Sequence, residues 1–218
     1  MHILKDYVNF KYLIPIIVYQ SLIYILKSIS IFLSGDFDRS TIMLMHDLIM
    51  IIFLLLFFKK DLKEENKQNN ILKKVYKYLL ILLLCNLSCS TLELVIQVVL
   101  HLDISNTNQA QIIQMFYQSP LTLIISSITA GFIEEMIYRY NYFKLFKDPK
   151  LAFVTSWLIF AMGHIKSYDL ASLISLVGYL LLSYILTDIY YKNRDIRINI
   201  LLHTLNNTLG VLLFLVAY

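Results

Sequence analysis

Seven side chains in the second half of the chain have the types and spacing that chemistry requires. Glu134, Glu135 and Arg139 form Glu-Glu-x-x-x-Arg, Phe160 and His164 form Phe-x-x-x-His, and His203 and Asn207 form His-x-x-x-Asn. Glu135 stands four residues before Arg139 with the acid N-terminal, the orientation that suits a helical ion pair. Glu134 is turned about 100° away on a helix and lacks that partner. A charge near a bilayer centre costs at least ~2.5–3.5 kcal/mol, so ionisable groups in apolar runs mark functional sites by default. A carboxylate, two imidazoles and an amide can activate water. Glu134 would act as general base; His203 and Asn207, or His164, would hold water or stabilise a tetrahedral oxyanion. Glu134, His164 and His203 could equally ligate one divalent metal, for which carboxylate and neutral imidazole suit zinc. Glutamate-activated water and a zinc centre both remain open on the residues alone. His46 and His101 each stand alone and read as satisfied packing residues. His-Glu-x-x-His, Gly-x-Gly-Asp and Gly-x-Ser-Gly do not occur.

Seven apolar segments must position these groups. They run from Tyr12 to Leu33, Ile42 to Phe58, Tyr78 to Leu100, Leu121 through Arg139 towards Phe146, Lys150 to His164, Leu170 to Tyr190, and Ile198 to the C-terminus. Ser34 to Thr41 reads as a polar turn, and Lys59 to Lys77 as a charged loop leading into an interfacial helix. His101 to Pro120 has no Lys or Arg and reads as an outer loop, and Ile165 to Asp169 as a short connection. In the third segment Asn86, Ser90, Glu93 and Gln97 recur at helical steps, which makes one polar face for packing. Asp148-Pro149 breaks the fourth segment from the fifth. Glu134 and His164 each lie fifteen residues from Pro149, so an antiparallel hairpin turning there sets them at equal height, about 22 Å from the turn. His203 and Asn207 lie about 9–15 Å into the last helix from Arg197.

The composition agrees with a membrane chain. The 218 residues are 58% hydrophobic, with a mean hydropathy of +0.66. This predicts an all-α polytopic bundle of about seven transmembrane helices, a single integral membrane domain over residues 1–218 with its site between the late helices. The net charge of +4 is no nucleic-acid signal, because the basic residues cluster between apolar runs. Sixteen of the nineteen fall on one side of a seven-span alternation, with Arg39 and Lys166 on the other and Lys27 within a span. By the positive-inside rule the N-terminus is cytoplasmic and the site lies toward the cytoplasmic leaflet. Cys85 and Cys89 stand one helical turn apart and read as reduced packing residues.

The three ordered patterns resemble those of the CAAX-processing and bacteriocin-processing intramembrane proteases, the CPBP or Abi family, over roughly residues 119–214. The resemblance implies that Glu134, His164, His203 and Asn207 form the catalytic set, supported by Glu135, Arg139 and Phe160. It also implies an intramembrane endopeptidase, by family name a metalloprotease. Tyr140 stands where that family often has Gly, and the Pro that often precedes the glutamates is missing.

The leading expectation is therefore hydrolysis of a peptide bond in a bacterial cell membrane. The substrate would be a hydrophobic peptide precursor or a lipidated protein tail of CAAX type. Two further readings are a bacteriocin self-immunity or membrane partner protein acting by binding, and a transporter whose glutamates conduct protons.

Overall fold

The computed structural model describes residues 7–32, 37–65, 69–101, 117, 119–165, 167 and 169–217, with side chains through residue 213 apart from Leu100. Among the described residues the regular structure is helical, with one isolated antiparallel bridge between Val8 and Phe146. The elements are α1 (Leu13–Phe32), α2 (Arg39–Phe57), α3 (Lys59–Glu64), α4 (Ile71–Leu100), α5 (Pro120–Glu134), a π-helical segment (Glu135–Asn141), α6 (Tyr142–Leu145), α7 (Pro149–Met162), α8 (Leu170–Asn193) and α9 (Ile196–Ala217). A short 3-10 turn, Phe10–Tyr12, leads into α1.

Each expected apolar segment is a helix, so the all-α bundle stands. Five of the described segments are long and apolar enough to cross a membrane: Phe10–Phe32, α2, α4, the continuous run Pro120–Leu145, and α8. α7 is apolar but has only 14 residues, and α9 has 22 with a polar stripe through it. Within the stretch expected to be a charged loop leading into an interfacial helix, Lys59–Glu64 forms a short helix and α4 already starts at Ile71, while residues 66–68 lie outside the described residues. The outer loop expected between His101 and Pro120 lies, for residues 102–116 and 118, outside the described residues. So do residues 34–36 of the first turn, and Lys166 and Tyr168 of the short connection.

Helix ends follow local chemistry. Asp38, Asp148 and Asp169 accept hydrogen bonds from the backbone N–H groups of Thr41, Lys150 and Ser172 at 2.8, 2.9 and 2.7 Å. These caps satisfy orphan donors in the first turns of α2, α7 and α8. Pro149 sits at the start of α7, where its missing N–H costs nothing.

The run Pro120–Leu145 is the central column, with 56% of its most apolar window buried, against 6% for α4. It packs against α9 and α2, while α8 lies on α7 and α4 leans on α8 and α9. The approach of α5 to α9 is tight at Gly131: a Cβ there would come within 2.7 Å of the Thr204 backbone nitrogen. Without a hydrophobic force between helices in lipid, such small-residue contacts carry much of the packing. An aromatic and aliphatic core surrounds the lower column, including Tyr12, Phe58, Met136, Tyr138, Tyr140, Phe160 and Tyr190.

One end of the bundle gathers the segments that the charge pattern placed on one side. The Asn9 N–H donates to the Leu145 carbonyl at 2.7 Å, and the Lys147 N–H to Tyr7 at 3.0 Å. Lys74 reaches Asn193 at 2.8 Å, and Glu65 accepts from the Ile196 N–H at 2.9 Å. The Tyr12 hydroxyl donates to Asp61 at 3.1 Å.

Candidate active site

The fourth apolar segment is not a plain α-helix. Directly after Glu134 the chain widens into a π-helical stretch, and all seven residues from Glu135 to Asn141 are buried. Such wide turns inside α-helices are frequent at functional sites. Glu135 is fully buried and is the hub. Its Oε1 sits 3.0 Å from Arg139 Nη1 and accepts from His203 Nδ1 at 2.7 Å; its Oε2 accepts from Asn199 Nδ2 at 3.1 Å. The ion pair expected from the four-residue spacing is present. The bond to His203 was not expected, since the sequence assigned the histidines to Glu134 alone.

His203 lies between the two glutamates. A carboxylate accepts only, so Nδ1 carries the proton and Nε2 presents its lone pair. That Nε2 lies 3.8 Å from Glu134 Oε2. Glu134 keeps 19% of its side-chain surface open and lines a cavity of about 880 Å³ between α1, α2 and α5. One imidazole is thus fixed by a buried anion on one side and faces a cavity-lining carboxylate on the other.

Arg139 has further neighbours besides Glu135. Its guanidinium lies over the Phe160 ring at 4.1 Å, and Nη2 donates to Ser183 Oγ at 3.2 Å. Ser183 in turn donates to the Trp157 carbonyl at 2.8 Å, and Trp157 Nε1 to the Leu180 carbonyl at 2.9 Å. The π-segment, α7, α8 and α9 are therefore tied to a single guanidinium–carboxylate–imidazole unit.

The remaining sequence candidates are less close. His164 lies in the turn two residues past the end of α7, rather than on the helix as expected. Its Nδ1 donates to the Phe160 carbonyl at 2.9 Å, and its ring stacks on Tyr179 at 4.3 Å between centroids. Phe160 separates the two histidines, with ring centroids 4.7 Å from His164 and 5.8 Å from His203. Asn207 stands one turn beyond His203, its amide 3.5 Å from the Ser127 carbonyl of α5. Glu134, Glu135, Arg139, Phe160 and His203 are brought together directly, and His164 and Asn207 flank them.

Sequence reasoning missed Asn199, although Asn199, His203 and Asn207 recur at steps of four and so share a face of α9. It also set His46 aside as a packing residue. His46 lines the cavity with Tyr19 and Asp47; Asp47 holds Thr129 Oγ1 at 2.5 Å, and the His46 and Tyr19 rings are 5.7 Å apart. His101 is no core residue either: it ends α4, exposed, with φ at 50°. On α4, Asn86 donates to Asn206 at 2.6 Å and Glu93 faces Gly178 of α8, whereas Ser90 and Gln97 point outward. Cys85 and Cys89 are free and half-buried, as expected of packing residues.

A catalytic zinc site uses three protein ligands and leaves one position open. Among the described residues no three His, Cys, Asp or Glu side chains are grouped to hold a metal. The site offers a pair, Glu134 and His203 Nε2, while His164 is turned to Phe160 and Tyr179. This arrangement falls one ligand short of the zinc set.

The class defined by fold and site is a membrane helix bundle with a buried carboxylate–imidazole centre on its central column. Residues 116–209 match the sequence model of the family described as type II CAAX prenyl endopeptidase Rce1-like, and the site residues from Glu134 to Asn207 lie within that match. Curated relatives include UPF0177 protein YvdC of Lactococcus lactis subsp. lactis (strain IL1403), 33% identical over 115 residues, or 51% of this chain and 42% of the relative. UPF0177 protein YaiH of the same strain is 35% identical over 91 residues, 41% of this chain and 36% of the relative. A UPF0177 protein in the abiGi 5' region of Lactococcus lactis subsp. cremoris is 31% identical over 106 residues, 49% of this chain and 43% of the relative. The matched region thus spans about two fifths of these relatives' length. No solved structure is a significant match.

Proposed function

We propose that the chain is an intramembrane endopeptidase of bacterial cell membranes. In this reading it hydrolyses a peptide bond of a hydrophobic peptide precursor or a lipidated protein tail. The carrying observation is His203, held through Nδ1 by Glu135 at 2.7 Å with Nε2 facing Glu134 at 3.8 Å.

A water lodged against both atoms donates one hydrogen to Glu134 and the other to His203 Nε2. Its lone pair then points into the cavity. As the water oxygen bonds to the scissile carbonyl carbon, Glu134 takes the proton. The tetrahedral oxyanion is stabilised by amide N–H donors, for which Asn207 is placed one turn from His203. Collapse breaks the C–N bond, and Glu134 returns the proton to the leaving amine. Arg139 and Asn199 act as positioning residues, holding the Glu135 carboxylate that fixes the imidazole. This chemistry needs two protein groups and no third ligand, so it suits the pair as arranged. The N-terminus is assigned to the cytoplasm, where the charge pattern puts it.

Purified protein in detergent is incubated with membrane-peptide precursors, and the products are mapped by mass. Wild type is expected to release defined fragments, and Glu134→Gln and His203→Ala to lose ~10²–10⁴ in rate while still accumulating. Undiminished cleavage by both variants would put the chemistry elsewhere. A membrane phenotype that survives both would favour action by binding.

A further inference from the structure

The cavity in front of Glu134 holds a second imidazole that the chemistry above leaves unused. α1 lines it with Tyr19 and Ile23, α2 with His46 and Asp47, and α5 with Ser126 and Glu134. His46 is built like His203. Its Nδ1 sits 3.2 Å from Asp47 Oδ1, and Thr129 Oγ1 donates to the other Asp47 oxygen at 2.5 Å. A carboxylate accepts only, so Nδ1 carries the proton and Nε2 offers its lone pair. Among the described residues that Nε2 has no hydrogen-bond partner, and the ring lines the cavity.

Ser126 is a second unspent group on the same wall. It is 9% exposed, and its hydroxyl has no hydrogen-bond partner among the described residues. A buried polar group left unpaired costs free energy, which a ligand that pairs it returns. Its staggered χ1 wells let the hydroxyl turn to a group in the cavity. The two groups are spaced in a regular way from Glu134. Asp47 fixes the level of His46 at Thr129, five residues before Glu134 on α5, or about 7.5 Å along the axis. Ser126 lies eight residues before Glu134, or about 12 Å. An extended peptide advances about 3.3 Å per residue, and the groups facing one wall recur at every second residue. Residues two and four places from the scissile bond therefore fall near His46 and Ser126.

We propose that His46 and Ser126 bind the backbone of an extended substrate segment. His46 Nε2 accepts the N–H of the residue two places from the scissile bond, and Ser126 Oγ donates to the carbonyl of the residue four places away. The inference rests on the peptidase reading of Glu134. A helical segment keeps its own N–H and C=O groups paired, whereas a segment unwound for cleavage does not. At membrane depth no water satisfies the freed groups, so the α2–α5 wall supplies their partners. His46 and Ser126 touch no reacting atom in this arrangement. They hold the chain straight and set its register against Glu134, and they read backbone rather than side chains.

The probe is a dansyl-labelled hydrophobic nonapeptide of non-repeating sequence, with each internal amide N–H replaced in turn by an ester oxygen. Binding to purified protein in detergent is read by dansyl fluorescence, and the cut bond by mass. Wild type is expected to bind one ester about tenfold more weakly than the parent, namely the one two residues from the cut bond, as loss of a hydrogen bond to a buried acceptor supplies. His46→Phe keeps a ring and removes the acceptor, so it is expected to bind the parent about tenfold more weakly and to lose that discrimination. Ser126→Ala is expected to bind the parent about threefold or more weakly at an unchanged melting temperature, because the hydroxyl holds nothing in the free protein. Equal binding of every ester by wild type, a penalty that persists in His46→Phe, wild-type affinity in Ser126→Ala, or no binding of the parent would overturn the proposal. Should His46→Phe fail to accumulate, the wild-type ester series and Ser126→Ala decide it. Binding is read without turnover. A single-position penalty that His46→Phe abolishes, with no cleavage by wild type, would therefore sink the peptidase reading and leave the backbone site standing.

Discussion

Replacing Glu135 by glutamine keeps the side chain's size and removes its charge at the most crowded point of the site. Two cationic or N–H donors and one amide converge on this carboxylate: Arg139 at 3.0 Å, His203 at 2.7 Å and Asn199 at 3.1 Å. Glu135 and Arg139 are both fully buried, so the substitution leaves a guanidinium without its anion and away from water. Removing one partner of such a pair costs about 3–5 kcal/mol. An amide nitrogen is also set against the donors that the carboxylate satisfied. Glu134→Gln is a different perturbation, because its carboxylate is partly open to the cavity and faces the lone pair of His203 Nε2 at 3.8 Å, beyond hydrogen-bond distance. The substitution leaves the buried Glu135–Arg139 pair intact. Detergent melting curves beside cleavage rates are expected to show Glu135→Gln unstable and inactive, with Glu134→Gln as stable as wild type and inactive. Glu135→Gln/Arg139→Met, which removes both charges, is expected to regain part of the stability and none of the activity. If Glu134→Gln proved the unstable variant and Glu135→Gln the stable one, the division between orienting anion and base would be reversed.

Gly131→Ala sets a methyl against the Thr204 backbone, so α5 and α9 must separate; a loss of about 1–3 kcal/mol is expected in the melting curve, and unchanged melting would show that the helices are not so close. Because the pair Glu134–His203 needs no third ligand, incubation with 1,10-phenanthroline is expected to leave peptide cleavage intact; inactivation reversed by zinc would refute the two-group chemistry. The hydroxyl of Ser167 and the N–H of Ser172 hold the Asp169 carboxyl below its usual value of 3.8. A lowered acid stabilises the folded form above that value and loses its contribution as pH falls through the lowered one. Protection against hydrogen exchange in the first turn of α8, taken relative to the intrinsic rate at each pH, is therefore expected to fall below about pH 3.8, and a turn equally protected at pH 6 and pH 3 would contradict the cap.

The bundle was legible because bilayer chemistry writes itself into sequence: apolar runs near span length, Pro149 at a hairpin, and basic residues between alternate runs. The i,i+4 spacing of Glu135 and Arg139 was equally direct. Other parts depend on tertiary packing, which periodicity does not encode. The π-segment leaves no residue signature, since Glu135–Asn141 reads equally well as a plain helix. The bond from Glu135 to His203 follows from the seating of α9 against the central column at Gly131 and Thr204. His164 could not be placed by its height in a hairpin, because α7 ends two residues before it. The cavity stripe on α1 and α2 went unread for another reason: His46 has no spaced partner in its own helix, and its neighbours come from other helices.

α4 has a consequence of its own. Its 30 residues extend about 45 Å, against a hydrocarbon core of about 30 Å. Its polar ties to the rest of the bundle include Lys74 and Tyr78 to Asn193 and Asn86 to Asn206, with Glu93 resting by Gly178. A helix so overlong and so lightly held must tilt or project, and bilayer thickness sets by how much. Its pivot is the Asn86–Asn206 contact, one residue from Asn207 on the helix that carries His203. Acyl-chain length is thus mechanically connected to the helix bearing the imidazole, and thinner or thicker membranes load that helix differently without any change of sequence.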